Sequence, residues 1–154
     1  MDDKDFEKSL AIGTKAEDKV YVWLKQTYAY VQDMRYQTRD KGTGPRLEGA
    51  AGSIILPDFA VYDRFRGKRL LDVKAKSSVY TISGKSYFTV DDYKFQDYLK
   101  CVELMNLDGL LLLFVYGDKF YIYDAEDHKG IHKFDNNYGK SAYLFEYDKD
   151  KIRF

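Results

Sequence analysis

The sequence has one cysteine, Cys101, two prolines and no long apolar run in its 154 residues. A single cysteine excludes an internal disulfide framework and a cysteine-rich zinc site. It fits a reducing compartment, so a cytoplasmic location is expected. The longest apolar stretch, Leu110 to Tyr116, is far below the roughly 20 residues that span a bilayer as a helix, and it reads as a buried strand. The opening residues Met1-Asp2-Asp3-Lys4-Asp5 are polar and acidic, unlike a secretory signal, and no membrane partner is expected. With so little proline and no low-complexity tract there is no linker, so residues 1–154 are expected to form one domain. Two chemistries are also missing: a clustered serine, histidine and acid, and a glycine-rich phosphate loop. His128 and His132 have the spacing of a helical metal pair, but Gly130 between them speaks against a helix. Net charge is lacking as well, with 25 basic and 25 acidic side chains, which at first argues against a nucleic-acid binder.

The charge is unevenly placed. From Arg35 to Ser86 there are eleven lysines and arginines against five acids, and the acidic excess lies at both ends. Such asymmetry can mark a polyanion-binding face on a neutral protein, or a set of solvated loops balanced in space by the acidic ends. The 15 tyrosines fall mostly in strand-like stretches, where a ring with one wet side suits a pleated surface. Hydrophobic residues at 45% and charged residues at 32% describe a soluble globular chain.

Thr14 and Glu17 form a capping-box pattern that predicts a helix from Thr14 to about Thr27, with Ala16, Val20 and Trp23 in one stripe. A strand is expected over Tyr28–Tyr36, and a mobile glycine-rich loop from Thr43 to Ser53. Phe59–Tyr62 and Lys68–Lys76 read as a hairpin, Val79–Ile82 and Ser86–Val90 as a second. Asp91 caps a helix to about Met105 whose inner face carries Phe95, Tyr98, Leu99, Val102 and Met105. Strands follow at Gly109–Tyr116, Phe120–Asp124 and Ala142–Tyr147. The order implies an α/β domain with a central mixed sheet flanked by helices.

The first hairpin turns near Phe65, so cross-strand partners have numbers summing to about 130, and Asp58 faces Asp72. Alternation puts Leu70, Asp72, Lys74 and Lys76 on one face, expected to be polar, and Leu71, Val73 and Ala75 on the other. Opposed carboxylates repel, and a divalent cation would relieve them, since Mg²⁺ takes one or two carboxylates and fills its octahedron with water and phosphate oxygens. Lys74 could then orient an attacking water or offset charge on a phosphoryl group. A plainer reading makes Asp58 a turn residue after Pro57, Asp72 and Lys74 an ordinary strand face, Glu17 a cap and Gln96 an exposed helix residue.

Leu56-Pro57-Asp58-Phe59-Ala60-Val61, followed by Leu70-Leu71-Asp72-Val73-Lys74-Ala75-Lys76, resembles the signature of the PD-(D/E)XK nucleases, the restriction-endonuclease-like superfamily. Gly13-Thr14-Lys15-Ala16-Glu17 is similar to the glutamate-bearing helix of archaeal Holliday-junction resolvases. The resemblance covers about Gly13 to Tyr123 and implies an α-β-β-β-α-β core. It further implies a Mg²⁺ site, open to Mn²⁺, formed by Asp58, Asp72, the backbone carbonyl of Val73 and Glu17. Lys74 would be catalytic and Gln96 would join the site. We expect Lys76, Arg46 and Lys100 to contact nucleic acid. The implied activity is hydrolysis of DNA by a metal-activated water, selective for branches, ends or single strands. It would act in repair, recombination, restriction or phage DNA processing, in the last case in the host cytoplasm. Symmetric cutting would call for a homodimer. Two other readings remain: a non-catalytic nucleic-acid-binding module on the same scaffold, and an interaction protein using its basic middle segment.

Overall fold

The computed structural model describes residues 3–35, 44–134 and 140–148. Helix α1 spans Asp3–Thr27. It begins well before Thr14, because the preceding segment is made of helix-tolerant residues and the helix carries Gly13 in its interior at a cost of about 1 kcal/mol. Glu17 therefore lies mid-helix and caps nothing. Ala16, Val20 and Leu24, spaced by four, are the buried stripe.

Strand β1, Tyr30–Asp33, is shorter than expected: the chain leaves the strand at Met34 and Arg35, and Tyr36 lies outside the described residues. The segment expected to be a mobile loop is a hairpin of β2, Arg46–Gly49, and β3, Gly52–Ile55. Its turn, Gly49-Ala50-Ala51-Gly52, uses a positive φ of 120° at Gly52. Strands β4, Phe59–Asp63, and β5, Gly67–Lys76, form the first long hairpin in the expected register, Phe59 opposite Leu71 and Asp63 opposite Gly67.

Strands β6, Tyr80–Ile82, and β7, Lys85–Asp91, lead into α2, Asp92–Leu104. Asp91 holds the N-cap position but makes no side-chain cap hydrogen bond. Phe95, Tyr98 and Cys101 are the buried residues of α2; Leu99, expected inside, is exposed, because the inward stripe follows 95, 98 and 101. Then come β8, Gly109–Tyr116, β9, Lys119–Asp124, a 3₁₀ turn at Ala125–Asp127, β10, Ile131–Lys133, and β11, Ser141–Glu146.

The central sheet has the order β1-β4-β5-β8-β9 and is mixed, since β5 and β8 run parallel while the other pairs are antiparallel. One face packs under α1 through Val61, Leu71, Val73 and Leu113. The other packs against α2 and a second sheet, β10-β11-β7-β6, through Leu70, Leu110, Leu112 and Phe114. Leu110 to Val115 is an unbroken buried run because both its faces are covered. The aromatic wealth goes largely here: Phe88 of β7 stacks on Phe114 of β8 at 4.6 Å and 13°, with Tyr116, Tyr121 and Tyr147 edge-on or tilted around it. Among the described residues no helix is long and apolar enough to cross a membrane.

Candidate functional site

Asp58 sits at the residue before β4, where the pairing register carried one step further places it opposite Asp72. Its Oδ2 accepts a 3.0 Å hydrogen bond from the Val73 N–H. In a strand the N–H and C=O of one residue point to the same side, so the Val73 carbonyl opens toward Asp58, beyond the end of β4. The two carboxylates and this carbonyl thus meet at one notch in the sheet.

The face that carries Asp72 is not polar. Leu70 beside it is fully buried, Asp72 is 3% exposed and Asp58 8%. The face is the floor of the larger core, and the acids occupy the place where that core opens into a cleft of about 340 Å³. Of the opposite row, Leu71 and Val73 pack under α1 as expected, whereas Ala75 is exposed.

Lys74 lies beside the acids. Its Nζ is 3.0 Å from Asp72 Oδ2 and donates a 2.8 Å hydrogen bond to the Tyr98 hydroxyl on α2. Burial alone would lower the Lys74 pKa; the Asp72 charge and the Tyr98 contact outweigh it, so the ammonium is held above its ordinary value. Lys74 is therefore a fixed cation rather than a base. The Tyr98 phenol is raised by burial and then by Asp72, so it stays protonated.

Burial pushes Asp58 well above the usual carboxylate range, and the charges of Asp72 and Glu17 push it further. Glu17 reaches the same neighbourhood from α1. Its pKa is raised by burial against the pull of Arg35, with Asp72 adding to the rise. Arg35, only 5% exposed, ties this edge together: its Nη1 lies 3.5 Å from Glu17 and 3.0 Å from Asp18, its Nη2 2.9 Å from Asp33.

Three sequence candidates fall elsewhere or change character. Gln96 does not face the cleft; its amide donates to the Tyr143 hydroxyl on β11, because the residues of α2 that line the cleft are Tyr93, Lys94 and Tyr98. Lys100, one turn after Gln96, is exposed and outside the cleft lining. Lys76 lines an adjoining groove rather than the cleft, and burial, then Lys74, lowers its pKa to about 8. Arg46 does line the cleft, from β2, donating to Ser53 Oγ at 3.3 Å. Lys94 was not singled out from the sequence. Burial lowers its pKa, and Lys74 lowers it further, so three lysines crowd one rim. Its spacing of four from the core residue Tyr98 was the available signal. His128 packs edge-on against Phe95 and Tyr143, which stack on each other, and its Nδ1 accepts from the Gly130 N–H.

The donor set suits a hard divalent cation in part. Asp72 Oδ2 is buried and, despite its ion pair with Lys74, has no aligned hydrogen-bond donor. Two carboxylates with a carbonyl match the few protein ligands that Mg²⁺ accepts. Among the described residues no three His, Cys, Asp or Glu side chains close into a cage of their own.

No family model matches the chain, and no curated protein matches it. A solved structure does: the 1.6 Å structure of Hjc from Archaeoglobus fulgidus, a Holliday junction resolvase from an archaeal hyperthermophile. The match covers 90% of this chain and 89% of that one, with a TM-score of 0.55 and 11% sequence identity. At that identity the likeness is one of fold. The chain has the restriction-endonuclease-like fold, a central mixed sheet flanked by helices.

Proposed function

We propose that the chain is a divalent-metal-dependent nuclease of the PD-(D/E)XK type, acting on DNA by direct attack of water. The observation that carries this reading is the meeting of Asp58, Asp72 and the Val73 carbonyl beside Lys74, ion-paired to Asp72, in a cleft on a fold shared with a junction resolvase. Asp58, Asp72 and the Val73 carbonyl would hold Mg²⁺ or Mn²⁺, with Glu17 reaching it directly or through water. Such an ion supplies Lewis acidity and a more acidic bound water. Lys74, fixed by Asp72 and Tyr98, offers positive charge to a phosphoryl oxygen as negative charge develops there. Lys94 from α2 and Arg46 from β2, both lining the cleft, hold the flanking phosphates. Among the described residues no element is placed to read base edges, so DNA shape, rather than sequence, is the more natural selector. Pairing of two copies would be needed to cut both strands of a junction symmetrically.

The test is cleavage of single-stranded, duplex and branched DNA with Mg²⁺ or Mn²⁺ by the parent, Asp72→Ala and Lys74→Ala. Each substitution should lower the rate by at least about 100-fold. A parent that cuts none of these substrates is not a deoxyribonuclease. A parent whose cutting survives both substitutions has its site elsewhere.

A further inference from the structure

A second groove of about 390 Å³ lies on the outer face of the four-stranded sheet, and Lys76 in its lining stands two residues along β5 from Lys74 of the cleft. Side-chain alternation and the strand register put Tyr80, Tyr87, Thr89, Leu144, His132 and Phe134 on that face, turned away from the Phe88 cluster. Three of the rings brace one another. Tyr80 meets Phe134 edge-on at 4.9 Å and His132 at 5.5 Å, and His132 meets Phe134 at 5.1 Å and 82°. Tyr80 nonetheless keeps 39% of its surface exposed. Rings held by their neighbours lose little freedom when a flat ligand lands on them.

Lys76 joins the two regions. It lines the aromatic groove with Tyr80, Tyr87 and Phe134, and it feels the charges of Lys74 and Lys94 at the cleft. A polyanion leaving the cleft past Lys74 and Lys94 meets Lys76 next, and after it the exposed Tyr80 with the half-buried rings of Tyr87, His132 and Phe134. Ser77, Ser78 and Thr89 add hydroxyls to the groove wall. Glu146, opposite Tyr87 on the same face, is unfavourable to phosphate, which confines the backbone to the Lys76 side and leaves the rings for bases.

We infer that this face, formed by Tyr80, Tyr87, His132 and Phe134 and entered past Lys76, is a stacking platform for an unpaired DNA strand that extends from the cleft. The inference rests on the nuclease reading for the route of the strand, but the platform binds single strands whether or not the cleft is catalytic. Stacking on aromatic faces tolerates any base, so the platform selects unpaired DNA and not a sequence. It would give the enzyme a preference for tailed or forked duplexes over blunt ones.

The experiment uses the full chain in EDTA and an oligothymidine carrying 2-aminopurine, whose fluorescence falls on stacking. The parent should bind it with quenching. Tyr80→Ala with Phe134→Ala should weaken binding at least about tenfold and abolish the quench. Tyr80→Phe, which keeps the ring, should behave as the parent. Tyr80→Leu alone, the gentler change should the double variant fail to fold, should lose the quench. With Mg²⁺ the double variant should cut blunt duplex within about twofold of the parent and lose its preference for tailed duplex. Unchanged oligothymidine affinity and quench in both Tyr80→Leu and the double variant overturns the platform, even if DNA is cut normally. A parent that stacks the oligothymidine yet cuts nothing keeps the platform and loses the nuclease reading. A parent that cuts DNA without quenching keeps the nuclease and loses the platform.

Discussion

Asp58 is held where a carboxylate is least comfortable: buried and facing Asp72, with the Val73 N–H and the Lys74 charge giving only partial relief. Its folded-state pKa lies above the unfolded value of about 3.9, so the folded chain binds the proton more tightly than the unfolded one. Stability must then fall as pH rises through the window from the unfolded value to the raised folded one. Glu17 is shifted the same way and adds to the slope. In EDTA the thermal midpoint should therefore climb as pH drops from neutrality toward the unfolded value. Asp58→Asn, whose carbonyl can still accept from Val73, should flatten that slope and raise the midpoint at pH 7 by roughly 3 °C per kcal/mol relieved, while abolishing cleavage. Calorimetric melts across the pH range check this; a variant that keeps the parent's slope shows that Asp58 is not the strained group. At this scale the sequence was legible where local geometry decides. The opposition of Asp58 and Asp72 followed from one turn and a constant sum. Lys94 and Tyr98 were not legible as a pair with Lys74, because their approach depends on how α2 rotates over the sheet, which pattern within α2 does not state.

Among the elements, the β4–β5 hairpin and the start of β8 are locked at the end remote from the acids. Gly67 turns the chain at φ 84°, and Asp108 clamps the strand there, its Oδ2 accepting from the Lys68 N–H at 2.8 Å and its N–H donating to the Lys68 carbonyl at 2.7 Å. A Cβ on Gly67 would collide with the Asp108 carboxylate. Gly67→Ala combines left-handed backbone strain with loss of that clamp, so it should cost about 1–3 kcal/mol. Cleavage by the folded fraction should be unaffected, since the lesion is about 23 Å from Lys74 along β5. Urea unfolding read beside specific activity separates the two; a large activity loss at full folding would show that the clamp sets the geometry of the notch. The same element level explains the sequence reading of α1. Thr14 and Glu17 have the letters of a cap, but a cap is a cap only where a helix begins, and residues 3–13 already form one. The sequence of the β2–β3 hairpin reads as a loop because glycine marks turns and gaps alike, and its pairing is visible only in space.

Across the whole molecule the basic segment does not form one face. Arg35 is consumed in ion pairs with Glu17, Asp18 and Asp33, and Arg69 faces Asp124 at 4.0 Å. Arg64 and Arg66 sit at the β4–β5 turn, at the opposite end of β5 from Lys74 and Lys76. Arg39 and Lys41 lie outside the described residues. Linear charge counting merged two ends of one long hairpin, since an extended strand carries residues ten apart in sequence to its opposite ends. DNA binding should accordingly be indifferent to Arg64→Ser with Arg66→Ser. Arg46→Ala with Lys94→Ala should weaken it and reduce the salt dependence by about one unit of slope for each phosphate no longer neutralised. Titrations at several salt concentrations decide between the two ends, and an equal fall in slope from the turn arginines would move the binding face there.

The parallel pairing of β5 with β8 also dictates an order of assembly. The β4–β5 hairpin closes over a short turn, whereas β8 can join β5 only after residues 77–108 have crossed over the sheet. Local contacts form at a lower loop-closure cost than distant ones. The two acids and Lys74 are therefore brought together by one of the sheet's local hairpin pairings, ahead of the crossover. Tyr98 and Lys94 arrive with the crossover, so the polypeptide gathers its negative charges first and completes the frame that holds Lys74 against them last.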